Sequence, residues 1–443
     1  MSGLLTIGRS ALRGYSTAME TVSQNIANVE NGDYVRRDVL MGDATITGSL
    51  NPLYSVQSGL SGTRINKIAR SGDEFMEASV RLSGAALVRS ETLTGWLGSI
   101  ETGLDNAGED VGQRLTDFYS RAEELAAVPF DNALRTTFIN EINATAETFR
   151  RTSANLNLAI DQISARAGSE LIGLNQTLAD LSRTNFDLRR TQPGTQAHAG
   201  LLDTRDAALA VISERLDAEI TLGENGVATV RYAGETISAI GVVGQLSLVE
   251  NADGSLLVQV NGQGGKVPSD GMLAGMSRAR NVAASDLAQL DQLAEDFATQ
   301  VNDWHANGRT DAGVPGKALL TTGAGAAGLS AIPAMAAELA VASADGKPNG
   351  NLLGLADLRA SGNIERNWNQ IISVHSNLVI AARNEQSAAQ ALDRNARSAR
   401  DAVSRVDLDR ETADLIRLQQ AYEAASRVIQ VARETTQSIL NIF

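Results

Sequence analysis

The chain contains no cysteine in its 443 residues, and this absence excludes several kinds of chemistry at once. A protein without thiols has no disulfide framework, no thiolate zinc site and no cysteine nucleophile. Aromatic residues are also scarce, at 4% of the chain, and there are only seven prolines. The abundance of Ala, Leu, Arg, Gln, Glu and Asp predicts a helix-rich, elongated protein, and the length predicts two to four domains.

Negative charge dominates the chain, with a formal net charge of −14. A nucleic-acid partner is not expected, because phosphate binding needs a concentrated basic face. Residues 1–40 carry four arginines and four acidic residues, and residues 404–443 carry five arginines and six acidic residues, so the excess charge lies between these segments. Near-neutral ends can pack together at low Coulomb cost while the acidic centre keeps the protein soluble.

Long apolar runs are missing as well. Leu4, Leu5 and Ile7 are interrupted at once, so a Sec-type signal peptide is not expected. The longest uncharged stretch, residues 318–337, consists mainly of Gly, Ala, Thr, Ser and Pro and is too weakly apolar to insert into a membrane. If the protein leaves the cytoplasm, we expect a route that does not read a cleaved signal.

Patterns that would indicate catalysis are absent. The three histidines lie in separate segments without the spacing of metal ligands; they are His198, His305 and His375. Residues 313–317 resemble part of a phosphate-binding loop, but Asp311 stands where Gly is needed and Ala318 where Ser or Thr is needed. We therefore predict no enzymatic activity, no catalytic residue, no metal site and no cofactor.

A tight cluster of charges, Asp203, Arg205 and Asp206, lies on a short amphipathic helix predicted over residues 198–217. Charges on such a helix usually form a face that water solvates. We expect this cluster to be exposed.

The first thirty residues carry apolar side chains spaced seven apart. One series contains Leu5, Leu12, Met19 and Ile26, and a second contains Tyr15, Val22 and Val29. This spacing is typical of a coiled-coil helix rather than of the broader apolar face of a globular helix. The helix should end near Asn28, because Asn31-Gly32-Asp33 follows as a turn.

The last forty residues have the same spacing. One series contains Leu408, Leu415, Tyr422, Ile429, Thr436 and Phe443, and the second contains Glu411, Leu418, Ala425, Ala432 and Ile439. The pattern reaches the final residue without a stop signal. The sequence therefore predicts a coiled-coil helix at each end of the chain.

Between these ends the chain is predicted to be mostly helical. Residues 40–72 look extended, helices are predicted over 73–127, 132–191, 271–305 and 362–440, four strands are predicted within 218–267, and 307–350 looks irregular. The predicted fold is mainly α with a small β insertion, in nested domains. Residues 1–40 with 404–443 form a terminal-helix domain, 41–217 with 268–403 form a helical-bundle domain, and 218–267 form a small outer β domain.

Two explanations of the terminal series stay open at this point. The two helices could form an antiparallel core hairpin within a monomer, or they could assemble subunits. Each buried Leu or Ile contributes about 1.5–3 kcal/mol, whereas ordering costs about 1–2 kcal/mol for every residue. An isolated pair is therefore marginally stable, and an apolar C-terminus needs a cover, so neighbouring subunits would stabilise the pair.

Four segments make the chain resemble a known family. Ser23-Gln24-Asn25-Ile26-Ala27-Asn28-Val29, followed by Tyr34, is similar to the N-terminal signature of the flagellar axial proteins, which include rod, hook and hook-associated proteins. Residues 415–425 are similar to their C-terminal signature, and the form Leu-Gln-Gln-Ala-Tyr resembles that of the first hook-associated (hook–filament junction) proteins. Residues 62–81 and Leu201-Leu202-Asp203-Thr204-Arg205-Asp206 resemble inner segments of the same family.

The chain departs from that family after the first helix. Asn31-Gly32-Asp33-Tyr34-Val35-Arg36-Arg37 replaces the usual Thr-x-Gly-Tyr-Ser-Arg-Gln, so Asp33 occupies the place of a glycine. Because Asp tolerates a left-handed backbone better than most residues, a turn is still predicted there.

The resemblance implies a structural subunit that joins hook and filament as a ring. It implies export in an unfolded state by the flagellar type III apparatus, and localisation in the extracellular flagellum after a cytoplasmic stage. The implied partners are further copies of the chain, the hook protein, a second junction protein or the filament, and a cytoplasmic chaperone on the C-terminal helix. Alternatives are a hook or rod subunit, a coiled-coil adaptor outside the flagellum, and a wall hydrolase attached to the flagellum.

The residues expected to pack subunits together come from both terminal helices and from the turn that follows the first. They are Leu5, Leu12, Tyr15, Met19, Val22, Asn25, Ile26, Asn28, Tyr34, Leu408, Leu415, Leu418, Tyr422, Ile429, Ile439 and Phe443.

Overall fold

The structure is a computed structural model that describes residues 2–44, 62–105, 110–323 and 325–441. Helices account for most of it. They are α1 (Ser2–Ala27), α2 (Glu74–Leu104), α3 (Val111–Ala127), α4 (Asn132–Arg190), α5 (Gln196–Arg215), α6 (Gly271–Asn307), α7 (Gly325–Gly328), α8 (Gly350–Gly362), α9 (Ile364–Ser404) and α10 (Leu408–Leu440).

The strands form three small antiparallel sheets. A hairpin joins β1 (Arg37–Asp43) to β2 (Thr63–Arg70). A four-stranded sheet contains β3 (Glu219–Leu222), β4 (Ala228–Tyr232), β5 (Glu235–Ala239) and β6 (Val242–Val243), and a three-stranded sheet contains β7 (Leu246–Glu250), β8 (Leu256–Val260) and β9 (Gln263–Lys266). The prediction of a mainly α fold with a small β insertion is confirmed.

The chain divides into two compact units. The terminal unit comprises residues 1–85, 173–245 and 390–443, and the central unit comprises 86–172 and 246–389. The sheet β3 to β6 belongs to the terminal unit, and the sheet β7 to β9 belongs to the central unit. The predicted division into three domains stays a prediction.

Two helical tracts that the sequence predicts as continuous are interrupted. The tract over 362–440 is wrong as a single helix, because α9 ends at Ser404 and the Asp407 side chain accepts the N–H groups of Asp409 and Arg410 at 3.0 and 3.2 Å as the N-cap of α10. In the same way, Asp110 accepts the N–H of Gln113 at 2.7 Å and starts α3, so the tract over 73–127 is two helices.

An aromatic cluster forms the centre of the central unit. The ring of Phe118 lies 5.2 Å from that of Phe138 and 5.4 Å from that of Phe297, and Phe149 stacks on Phe297 at 5.8 Å. These side chains bring α3, α4 and α6 together, and they are fully buried. Aromatic pairs add about 0.5–1.5 kcal/mol each beyond the burial of their area. Four of the eight phenylalanines thus lie in one core.

The irregular segment between α6 and α8 is held by buried polar contacts. Arg135, which is 1% exposed, donates to the Pro129 and Ala336 carbonyls at 2.7 and 3.1 Å and to both carboxylate oxygens of Asp311 at 2.7 and 3.0 Å. A guanidinium that is buried and fully hydrogen-bonded is costly to deprive of its partners. The segment between α6 and α8 is therefore firmly held, although it contains few helices or strands.

Two buried histidines in this unit have opposite electrostatic environments. His305 Nδ1 lies 2.5 Å from the Lys317 carbonyl, and its Nε2 accepts the Ala340 N–H at 2.8 Å, so the ring must be neutral; burial lowers its pKa. His375 Nδ1 lies 2.8 Å from Asp286 Oδ2, and its Nε2 lies 3.0 Å from the Leu97 carbonyl. Burial lowers the pKa of His375, but the hydrogen bonds to Asp286 and the Leu97 carbonyl, together with the charges of Asp286 and Glu101, outweigh it and the net shift is upward.

We predict that the two histidines give the stability of the central unit opposite pH dependences. The contribution of His375 is complete below the ordinary histidine pKa and is lost as the pH rises through its raised folded-state pKa. The contribution of His305 is complete above the ordinary value and is lost as the pH falls through its lowered folded-state pKa. The free energy of unfolding, measured in urea between pH 5 and 9, should fall less steeply on the alkaline side in H375Q and less steeply on the acidic side in H305Q.

The control for this titration is H198Q, because His198 lies in the terminal unit. If the slopes of the free energy of unfolding against pH are unchanged in both H375Q and H305Q, the prediction is contradicted.

Candidate functional site

The two ends of the chain pair as antiparallel helices. Asn25 Nδ2 donates to Glu411 Oε2 at 2.8 Å near the end of α1, while Gly8 lies against Ile429 near its start. The residues that this pairing buries include Ala18, Val22, Asn25, Glu411, Ala425 and Ala432. Both heptad patterns thus meet within one subunit, around a face that also contains polar side chains.

Glycines on α1 allow close approach on two sides. A Cβ added to Gly8 would lie 2.5 Å from Ile429 Cγ1, which is closer than carbon atoms approach in proteins. A Cβ added to Gly14 would lie 2.8 Å from Met41 Sδ in β1. The first helix is therefore packed between α10 and the β1–β2 hairpin.

The residues predicted to assemble subunits fall into three groups. Asn25 and Val22 are buried. Half-buried members are Leu5, Leu12, Tyr15, Met19, Ile26, Asn28, Tyr34, Leu415, Leu418 and Ile429. Exposed members are Leu408, Tyr422 and Ile439. Phe443 lies outside the described residues.

A further set of apolar side chains on α10 is exposed, although the heptad spacing does not predict it. Val431 is 60% exposed, Ile416 is 51% exposed and Val428 is 43% exposed. They lie outside the two heptad series, so heptad counting did not find them. The helix therefore presents apolar surface beyond the face that meets α1.

Asn25, which is fully buried, is the centre of a hydrogen-bond network. Its Nδ2 donates to the Arg37 carbonyl at 2.9 Å as well as to Glu411, and its Oδ1 accepts from Tyr34 Oη at 2.8 Å and from the Arg37 N–H at 3.1 Å. Every hydrogen-bonding position of the amide is used. The network ties α1 to α10 and to the start of β1.

Arg36 neutralises the buried carboxylate of Glu411. Its Nε donates to Glu411 Oε1 at 2.7 Å, Nη1 pairs with Asp38, and Nη2 lies 3.9 Å from Asp414. Glu411 is 0% exposed, so removing Arg36 would leave an uncompensated charge in the interior. The backbone N–H of Arg36 also donates to the Ser404 carbonyl at 2.9 Å, at the end of α9.

A second layer of charges continues from Arg37 to α5. Arg37 pairs with Asp203, which also lies 2.8 Å from Arg70, and Arg70 reaches Asp206 at 2.9 Å. Arg205 donates to the Gly226 carbonyl at 2.6 Å. Asp203 and Arg205 are buried. The prediction that this cluster is a solvated face is wrong, because its partners come from β1 and β2, far away in the sequence.

Burial controls the protonation of this site. It raises the pKa of Tyr34 to about 12, with Arg37 opposing the shift and Asp203 and Glu411 adding to it. Burial also raises the pKa of the Asp203 carboxyl, although Arg70 and Arg37 oppose it. For Arg36, burial lowers the pKa, and the hydrogen bonds to Glu411 and Asp38 outweigh burial, so the net shift is upward. Tyr34 is therefore a neutral hydrogen-bond donor at any physiological pH.

The turn after α1 forms although Asp33, which occupies the place of the family's glycine, is not left-handed. Neither Gly32 nor Asp33 has a positive φ. Instead, the Asn31 side chain accepts the Asp33 N–H at 3.2 Å, and its carbonyl accepts the Tyr34 N–H at 3.1 Å. The predicted turn is present, and an Asx turn at Asn31 makes a left-handed Asp33 unnecessary.

The terminal unit also contains a cleft of about 470 Å³ between the residue 28–35 turn and helices α2, α5 and α9. Its charged lining includes Glu77, Arg81 and Arg400. Over the described ranges, no three or more His, Asp or Glu side chains are grouped so that they could hold a metal ion. Among the helices that the structure describes, none is long and apolar enough to cross a membrane.

Comparison with known proteins places this architecture in a family. Residues 97–320, about half of the chain, match the flagellar hook-associated protein FlgK helical domain. The chain belongs to the FlgK family of flagellar hook-associated proteins. Residues 400–442 match the flagellar basal body rod FlgEFG protein C-terminal family. The resemblance carried by the signature segments is confirmed.

Several known proteins are similar to this FlgK-family chain. Flagellar hook-associated protein 1 of Bacillus subtilis is 24% identical, and the match covers 99% of this chain and 97% of the relative. The protein of the same name from Salmonella typhimurium is 25% identical, over 73% of this chain and 60% of the relative. The flagellar hook junction protein FlgK from Burkholderia pseudomallei superposes with a TM-score of 0.48 at 18% identity, over 55% of this chain and 46% of that chain.

We predict that two glycine substitutions on α1 have opposite effects. A Cβ added to Gly3 meets no atom within 4 Å, so Gly3→Ala should stabilise the helix by about 0.5 kcal/mol through its higher helix propensity. Gly8→Ala must displace Ile429, and overpacking of this kind costs about 1–3 kcal/mol. Urea unfolding followed by circular dichroism measures both, and equal stabilisation by the two substitutions would disprove the close approach of α1 and α10.

Proposed function

We propose that this FlgK-family chain is a structural subunit of the bacterial flagellum that forms the junction between hook and filament and assembles through α1 and α10. The observation that carries the proposal is the pairing of these two helices by a buried polar network while apolar side chains of α10 stay uncovered. Val431, Ile416 and Ile439 are 60%, 51% and 41% exposed. Exposed apolar surface of this kind marks a contact with another molecule.

The antiparallel register also leaves the end of α10 without a partner on α1. Asn25 is level with Glu411 and Gly8 is level with Ile429, so the first residue of α1 is level with about residue 435, because both helices rise by the same distance per residue. Residues 436–441 extend past it. A neighbouring subunit that covers this end makes a heterologous contact, which repeats around a ring.

The proposed partners follow from these surfaces. Further copies of the chain pack on the outward face of α10, hook protein lies on one side of the ring, and a second junction protein or the filament lies on the other. Before assembly, a cytoplasmic chaperone covers α10, because a bare helix with this much apolar surface aggregates. The chain passes through the flagellar type III apparatus unfolded and becomes part of the extracellular flagellum, where it serves motility.

We infer that the terminal site is structural rather than catalytic. Asn25 uses all of its hydrogen-bonding positions within the subunit, and Glu411 is shared between Asn25 and Arg36. A general acid or base needs a free position that reaches a substrate. The groups at this site are instead buried and mutually satisfied.

A hook or rod subunit is the second candidate, and one observation favours it. Residues 400–442 match a C-terminal family named after rod proteins, and that segment contains the whole of α10. The signature of α10 therefore belongs to a wider group of flagellar proteins than the helical domain does.

We predict that immunogold labelling separates these candidates. Antibody raised against the central unit should decorate one narrow band where hook meets filament, because only a junction protein is confined to that boundary. Label along the whole hook, or within the rod, would contradict the junction assignment and favour a hook or rod subunit.

We predict that deletion of residues 434–443 prevents assembly without unfolding the protein. The deleted segment contains the end of α10 that lies beyond α1, so the pairing from Glu411 to Ile429 is kept. The truncated chain should be monomeric, helical by circular dichroism and present in the culture supernatant, but unable to restore filaments in a null strain. Deletion of residues 45–54, which leaves α10 unchanged, is the size-matched comparison, and filaments restored by the C-terminal truncation would refute the assembly role.

A further inference from the structure

We propose that Asn25, Arg36 and Glu411 specify the register in which α1 pairs with α10, and so determine which side chains of α10 a subunit offers to its neighbours. The inference rests on the proposed function, because the register matters for assembly only if α10 contacts other subunits. It assigns to three buried polar residues a positioning role that burial of apolar area cannot supply.

Apolar contacts alone leave the register of these helices ambiguous. The heptad series of α10 repeat every seven residues, so a shift by one heptad in one direction places Leu418 where Glu411 lies and Thr436 where Ile429 lies. A shift in the other direction places Tyr422 where Ile429 lies. The apolar pattern on α1 repeats with the same period. Helices with matched heptads can pair in several registers unless a polar residue at a core position makes one of them unique.

The polar network fits one register only. Asn25 and Glu411 are both 0% exposed, and a shift of seven residues moves Glu411 by about 10 Å along the helix. In either direction Asn25 Nδ2 and the Arg36 guanidinium would lose the Glu411 carboxylate. The shift that brings Leu418 to this position would also set an apolar side chain against Asn25. Buried groups that lose their partners in this way destabilise the shifted pairing strongly.

A different explanation of the register is the chain connection. The link from α9 to α10 spans only Arg405–Asp407, and the Arg36 N–H donates to the Ser404 carbonyl at 2.9 Å. These contacts could hold the start of α10 in place without the side-chain network. The experiment must therefore remove the side chains and keep the connection.

The absence of cysteine makes the register directly measurable. Gly8→Cys with Ile429→Cys reports the observed register, because these positions touch. Gly8→Cys with Tyr422→Cys, and Gly8→Cys with Thr436→Cys, report shifts of one heptad in either direction. Mild oxidation of the monomer followed by non-reducing electrophoresis and mass spectrometry gives the yield of each crosslink.

We expect only the 8–429 crosslink in the parent chain. In the N25L/E411L background its yield should fall by about threefold or more, and a shifted crosslink should appear, because apolar replacements make the registers similar in energy. E411Q, which keeps a hydrogen-bond acceptor for Asn25, should retain the 8–429 crosslink. The matched control is T21V/E423L, since Thr21 is buried and donates within its own helix, to the Thr17 carbonyl at 3.0 Å, and Glu423 is exposed.

The outcomes are separable. An undiminished 8–429 crosslink in N25L/E411L, with no shifted product, overturns the inference and assigns the register to the connection. If N25L/E411L loses its helical circular dichroism, N25D serves as the second test, because it sets a like charge against Glu411 at nearly unchanged volume. Loss of all crosslinks in both variants, without a shifted product, also counts against the inference, since the residues would then stabilise the pair without selecting its register.

These measurements use the isolated monomer, so they do not depend on assembly. A shifted register together with normal filaments in a null strain would leave the inference intact and contradict the proposed role of α10. An unshifted register together with failed assembly of the truncated chain would contradict the inference and support the proposed role of α10.

Discussion

The buried carboxylate of Glu411 is the interaction on which the terminal unit depends. A charge with no exposed surface needs a cation and hydrogen-bond donors, and Arg36 and Asn25 provide them. Arg36 lies just before β1, so neutralising the carboxylate also fixes where the hairpin begins. From there Arg37 and Arg70 reach Asp203 on α5, and Arg205 reaches the Gly226 carbonyl beside β4. One ionised side chain thus organises elements from the beginning, the middle and the end of the chain.

The two units are stabilised in different ways. The central unit contains an aromatic cluster around Phe118 and Phe297 and an irregular segment held by Arg135. The terminal unit adds a helix pair, a hairpin and a layered set of charges to the buried apolar side chains of α4, α5 and the sheet β3 to β6, such as Leu178, Leu209 and Val230. The apolar core of the central unit is complete without a partner. The helix pair of the terminal unit still has an uncovered face, and a neighbouring molecule that binds this face would stabilise the pair. The composition of each unit therefore suits its role in the proposed assembly.

The sequence predicted the features that depend on local pattern. Pro129 and Pro193-Gly194 bound α4, the heptad spacing identified α1 and α10, and the signature segments identified the family. Strands β5, β6 and β9 were missed, because Val242–Val243 has two residues and Gln263–Lys266 has no apolar side chain to alternate. The break before α10 was missed because Asp407 is the only local signal for it.

The polar part of the site was only partly predictable, for a physical reason. Asn25 and Tyr34 were identified through the signature, but the burial of Asp203 depends on arginines in β1 and β2, more than a hundred residues away. No local pattern contains that information. Glu411 did carry a usable signal, since a charged residue in an otherwise apolar heptad series indicates a buried polar contact that sets register.

The interruption between α9 and α10 has a consequence for how cooperatively the chain unfolds. A helix propagates order one residue at a time. In one uninterrupted helix over 362–440, unfolding of the last turn could therefore spread towards the first. Here α9 ends at Ser404, whose carbonyl is taken by the Arg36 N–H, and α10 starts from its own cap at Asp407. The two helices are separate cooperative segments. Loss of order in α10 therefore does not have to spread into α9, which protects the interior of a subunit whose last helix a neighbour would bind in the proposed assembly.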